Sequence, residues 1–148
     1  MNEALPPIRE EIVIARDIEH VWEIMTSDES VPLWLGCLRY SRELGHVFFM
    51  QQNQAKAKAD DVSGATQCEI LALEEPSLFK FSWFLPGFPA TFVSFRLEAM
   101  AGGSTRIVFE HEGWDKFPVD QIKPIRDMLE GGWKSFVLPG LKRVAETA

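Results

Sequence analysis

The last quarter of the chain constrains its fold more than any other stretch. From Asp120 to Ala148, Trp133, Phe136, Val137, Gly140, Leu141 and Val144 recur at i, i+3, i+4, i+7, i+8 and i+11. That spacing is one face of an α-helix, with Lys134, Lys142, Arg143 and Glu146 largely on the other. Ile122, Ile125 and Leu129 continue the apolar face backwards. Such a helix of roughly 25 residues is about 40 Å long at 1.5 Å per residue. Its apolar face demands an equally long apolar partner. Two blemishes mark it. Gly131-Gly132 cost about 1 kcal/mol each relative to Ala in a helix interior. Pro139 has no amide donor and clashes one turn back, which predicts a kink near Ser135. The kink either follows a curved sheet or opens a gap over it.

The rest of the chain supplies strands. Ile8 to Ala15 reads as a first strand. Asp17 is placed to cap a helix over Ile18, Val21, Trp22 and Met25. A second short helix opens at Asp28-Glu29-Ser30, is limited by Pro32 and stops at Gly36. Gly45 to Gln52 reads as a strand, and the polar run Gln51 to Ser63 as a hairpin tip. Further strands are expected over Gly64–Glu74, Leu78–Phe84, Ala90–Met100 and Ser104–Glu112, each separated by a Gly- or Pro-bearing turn. Strands joined by short turns make an antiparallel meander. One long amphipathic helix is the only adequate cover for its apolar face. The expected class is α+β, a bent sheet with a helix on one face, in a single domain spanning 1–148 with residues 1–7 as a flexible N-terminus.

Charge and composition narrow the partners. A net charge of −7 with no basic cluster argues against nucleic acid and anionic membrane surfaces. No apolar run reaches membrane-spanning length, and the first residues lack a signal-peptide core. Cys37 and Cys68 form neither a disulfide framework nor a CxxC motif. A cytoplasmic protein is therefore expected. Five Trp and eleven Phe against one Tyr indicate apolar walls in preference to a polar catalytic cleft.

An ordered set of features resembles a known family. It comprises Asp17 followed by Trp22, then Trp34, Gly45, the run from Gly64 to Pro76, Phe81-Ser82-Trp83, the stretch GGSTRIVFEHEG from Gly102 to Gly113, and Gly132-Trp133. Together these are similar to the START-like (SRPBCC) superfamily, and within it to the activator of heat-shock protein 90 ATPase homologue-like group, over roughly Arg9 to Glu146. The resemblance implies a helix-grip fold: a curved antiparallel sheet gripping the C-terminal helix, with two short helices after the first strand. It also implies an internal apolar cavity, used in the wider superfamily for lipids, sterols, polyketides or phenolics. The eukaryotic chaperone activators of the group carry an additional N-terminal domain that has no counterpart here.

The in-facing strand residues Phe48, Met50, Phe79, Phe81, Trp83, Val93, Phe95, Ile107 and Phe109, with Trp133, Phe136, Val137 and Leu141 of the helix, are the expected ligand-binding wall; the competing expectation is a filled core. His111 shares the inward phase of Ile107 and Phe109 and is the one candidate polar group there. As a general base it would pair with Asp115, and that role requires a ring open to the pocket. No nucleophile elbow accompanies the pair. His20 and His46 stand alone, so neither a metal nor another cofactor is expected. The leading expectation is a non-enzymatic binder of a small hydrophobic molecule. An acid/base enzyme using His111, and a chaperone regulator or homodimer acting through protein contacts, are the alternatives.

Overall fold

The computed structural model describes residues 5–148. Six strands, β1 (Ile8–Ile14), β2 (Val47–Met50), β3 (Thr66–Glu74), β4 (Leu78–Trp83), β5 (Thr91–Met100) and β6 (Ser104–Glu112), form one antiparallel sheet in the order β1-β6-β5-β4-β3-β2. β2 to β6 are a meander. β1 adds to its far edge by pairing with β6, so that Ile12 faces Ile107 and Ile8 faces His111. A register shift between Ile70 and Ala72 marks an irregularity within the pairing of β3 and β4. Strict alternation on β4, β5 and β6 sends Phe79, Phe81, Val93, Phe95, Ile107 and Phe109 to the concave face, where they are fully buried.

Helices α1 (Ile18–Thr26) and α2 (Val31–Trp34) cross from β1 to β2. The Asp17 carboxylate accepts from the His20 amide, which is the expected N-cap. Pro32 lies in the first turn of α2, where a missing amide costs nothing; it helps to open the helix that it was expected to limit. The connection from β2 to β3 holds a helical turn, α3 (Gln54–Lys58), capped by Asn53 accepting from Lys56, where a plain hairpin tip was expected. Its Ala and Lys residues are good helix formers without an apolar stripe, so periodicity could not reveal it.

After a short 3₁₀ turn at Trp114–Lys116, the C-terminal helix runs in three pieces: α4 (Val119–Gly132), a π turn (Trp133–Val137) and α5 (Leu138–Thr147). In the π turn the Leu138 amide donates to the Trp133 carbonyl, five residues back. This wider turn sits where Pro139 was expected to disturb the helix, and it leaves Pro139 in the first turn of α5. The extra residue rotates the faces. Burial proceeds through Trp133, Leu138, Leu141 and Ala145, spaced 5, 3 and 4, in place of a uniform stripe. Phe136, expected against the sheet, is carried outward and is 77% exposed. α5 packs on α1, α2 and β1, with His20 Nε2 within 2.9 Å of the Ala145 carbonyl.

At the other end, Arg126 of α4 is buried. It donates from Nε to the Pro6 carbonyl (2.8 Å) and from Nη2 to that of Pro7 (3.2 Å). The expectation of a flexible segment over residues 1–7 falls partly on residues 1–4, outside the described residues.

Candidate ligand-binding cleft

A cleft of about 530 Å³ opens between the helix and one end of the sheet. Its sheet wall is Met50 at the end of β2, Thr66 at the start of β3, Trp83 at the end of β4, and Leu85 just beyond. Ile125, Met128, Leu129 and Gly132 of α4, with Trp133, Phe136 and Val137 of the π turn, form the opposite wall. Gln52 completes the lining, which contains no ionisable side chain. α4 carries its cleft residues at the i, i+3, i+4 and i+7 positions of one face, the ordinary amphipathic arrangement. Met128 (68% exposed) and Phe136 mark the rim, while Trp133 (3%) and Trp83 (8%) lie at the floor.

The expected wall residues divide into two groups. Met50, Trp83, Trp133, Phe136 and Val137 line the cleft. Phe48, Phe79, Phe81, Val93, Phe95, Ile107, Phe109 and Leu141 are fully buried and do not line it. Their rings interlock, with Phe95 5.2 Å from Phe109 and Phe48 5.2 Å from Phe81 between centroids. This part of the concave face is packed core. The cleft occupies only the end of the sheet farthest from α5. Met128, Gln52, Thr66 and Leu85, which also line it, lay outside the expected set. Met128 could have been found by extending the helical stripe back from Gly132. Thr66, Gln52 and Leu85 carry no periodic signal, since they sit at strand ends.

His111 is a correction. It does not line the cleft and is fully buried behind Trp133. Trp133 Nε1 donates to His111 Nδ1 at 3.2 Å. An indole nitrogen can only donate, so Nδ1 carries no proton and Nε2 must carry one. Nε2 lies 2.7 Å from Thr91 Oγ1, which in turn donates to the Trp83 carbonyl at 3.1 Å. Both ring nitrogens are thus engaged in a neutral tautomer, and no position remains for proton exchange with a ligand. Burial, with the Arg126 charge adding to it, lowers the imidazole pKa from its ordinary 6.5 to about 3. Asp115 is exposed on the 3₁₀ turn and makes no bond to the ring. The acid/base role proposed for this pair therefore fails. His111 instead ties β6 to Trp133 of the π turn and, through Thr91, to Trp83.

The same linkage makes stability pH-dependent. Below the unfolded pKa of 6.5, the unfolded chain takes up a proton that the folded ring refuses. This contribution is therefore complete above pH 6.5 and is lost as pH falls toward about 3, at about 1.4 kcal/mol per pH unit from this group. Urea unfolding across that interval should show the slope in the wild type, and His111→Asn should flatten it. Equal slopes would mean the ring is protonated in the fold.

Two other groups offer no chemistry. Cys37 and Cys68 are buried free thiols, and burial pushes the Cys37 thiol up to about 12, leaving no reactive thiolate. Among the described residues, no cluster of three His, Cys, Asp or Glu side chains could hold a metal ion. No helix there is long and apolar enough to cross a membrane.

A family model described as Activator of Hsp90 ATPase homolog 1-like protein matches residues 15–146. No curated protein matches the chain. Solved structures show the same fold. A Mesorhizobium loti protein aligns with a TM-score of 0.78 at 22% identity, covering 97% of this chain and 98% of that one. The Aha1 dimer from Colwellia psychrerythraea aligns at 0.68 and 19% identity, covering 96% and 97%. An HSP90 activator from Plasmodium falciparum aligns at 0.69 and 12% identity, covering 93% and 94%.

Proposed function

This chain belongs to the Activator of Hsp90 ATPase homolog 1-like protein family, and we propose that it binds a small hydrophobic molecule, without catalysis, in the cleft between α4, the π turn and the open end of the sheet. The observation that carries this reading is the apolar, uncharged lining of a cavity of about 530 Å³, within the size range of small-molecule sites. Burying an apolar ligand there contributes roughly 25 cal/mol per Å² removed from water. No proton donor or acceptor with a perturbed pKa faces the cleft, which supports binding over turnover. Two buried free thiols suit a reducing, cytoplasmic setting.

Titration with the neutral fluorophore N-phenyl-1-naphthylamine tests the reading. Saturable 1:1 binding with raised emission is expected. At a concentration 100 times Kd, the ligand should stabilise the fold by about 2.7 kcal/mol. Linear, unsaturable emission without thermal stabilisation would overturn it.

A second reading follows from the neighbours. One is an HSP90 activator and another an Aha1 dimer, so protein contact is the alternative role. ATP turnover by the cognate chaperone, measured with and without this protein, separates the two. Stimulation that persists in a variant with a blocked cleft would favour the contact role.

A further inference from the structure

We infer that the ligand of this cleft is a neutral molecule with an acceptor oxygen, which the Trp83 indole N–H binds at the cleft floor with the Thr66 hydroxyl beside it. This rests on the proposed function and specifies its ligand class.

Every fully buried side-chain nitrogen or oxygen among the described residues has a hydrogen-bond partner. Neither Trp83 Nε1 nor Thr66 Oγ1 bonds to the described protein, although the two side chains are 8% and 6% exposed. Both residues line the cleft; Trp83 also borders a recess of about 30 Å³ beside Thr91, Trp114 and Phe117, which is too small for a ligand, so of the two spaces only the cleft has room for one beside these groups. The two also belong together. Gln67 pairs with Phe84 and Ile70 with Phe81, a register that sets Cys68 opposite Trp83. Thr66 is then the diagonal neighbour of Trp83 on the same concave face.

The donor is held in place. The Trp83 carbonyl accepts from Thr91, and its ring lies 5.4 Å from Trp133 and 5.6 Å from His111 between centroids. A fixed donor loses little freedom on binding. Indole N–H only donates, so the ligand must present an acceptor. A wholly apolar ligand would cover both groups and leave them unpaired, which is unfavourable. A carboxylate is the wrong acceptor. No cation lines the cleft, and a buried unpaired anion is strongly disfavoured. A ketone, ester or lactone on a ring-sized apolar body meets all three conditions.

Three naphthalenes of similar shape test this: 2-acetylnaphthalene, 2-ethylnaphthalene and 2-naphthoate, each titrated by isothermal calorimetry. The ketone should bind about three- to tenfold more tightly than the hydrocarbon, the worth of one hydrogen bond. The carboxylate should bind most weakly. Trp83→Phe, which keeps a ring and removes the N–H, should bring ketone and hydrocarbon to equal affinity, and Thr66→Val should narrow the difference. In the wild type, the Trp83 indole proton should move downfield in nitrogen-edited NMR with the ketone and stay with the hydrocarbon; this readout needs no variant. Equal affinity of ketone and hydrocarbon, an unmoved indole proton, or tightest binding of the carboxylate would overturn the inference and leave the hydrophobic cleft standing. Failure of all three compounds to bind would overturn the cleft itself.

Discussion

Trp133→Ala should destabilise the fold by about 3 to 5 kcal/mol, the range for truncating a large buried aromatic. Trp133 is where the helix, the sheet and the buried histidine meet. Its ring centroid lies 4.7 Å from Phe109 and 5.4 Å from Trp83, and its indole N–H satisfies His111. Truncation removes the apolar contacts and strands the histidine acceptor, a further penalty of about 1 to 3 kcal/mol wherever water cannot reach it. Native domains have only about 5 to 15 kcal/mol in total, so the variant should melt many degrees lower. Trp133→Phe separates the parts, because it keeps most of the packing and loses the N–H. It should cost clearly less than Ala, yet measurably more than nothing. Guanidinium unfolding of the three proteins reads the values. A loss below about 1 kcal/mol in Trp133→Ala would fall in the range of surface substitutions and would show that the docking of the helix on the sheet does not depend on this ring.

Gly132→Trp should abolish binding of the neutral fluorophore while leaving the fold as stable as before, or more so. Gly132 has ordinary helical backbone angles, φ −65° and ψ −46°, so a side chain there carries no strain. A Cβ added to it meets nothing within 4 Å, and the residue lines the cleft. The new indole therefore enters the space that the ligand would use. Replacing a helix glycine also recovers up to about 1 kcal/mol of propensity. Loss of binding with an unchanged melting temperature is an outcome that general unfolding cannot produce. Gly131→Trp is the control. Gly131 is exposed, has open space around it and does not line the cleft, so this variant should bind as the wild type does. If Gly132→Trp also binds as tightly as the wild type, the ligand site lies elsewhere.

The sheet was legible because its strands alternate cleanly. Val93, Phe95 and Leu97 against Ser94, Arg96 and Glu98 can be read only one way, and the buried face of β5 follows that pattern. Asp17 announced α1 by capping chemistry that acts within one turn. The cleft was legible only in outline. A uniform 3.6-residue period predicts Trp133, Phe136 and Val137 against the sheet, but the π turn adds a residue and rotates Phe136 to the rim. Pro139 signalled a disturbance at that place without saying which kind. The division between packed core and open cleft was not legible at all, because both are lined by the same aromatic residues. What separates Phe95 from Trp83 is which rings close around each: Phe95 is enclosed by Trp34, Phe79, Phe81 and Phe109, a tertiary arrangement. His111 shows the same limit. Its inward phase was evident, but that its nitrogens would be engaged by Trp133 and Thr91 depended on contacts across 22 and 20 residues.

The most direct test of the binding cleft is a crystal structure grown with 2-acetylnaphthalene. The ring system should lie between Trp83 and Leu129, bounded by Met50, Trp133 and Phe136, above an undisturbed core of Phe79, Phe95 and Phe109. Density for the compound on the outer face of the sheet, or wedged among those core rings with the cleft left to solvent, would contradict the account.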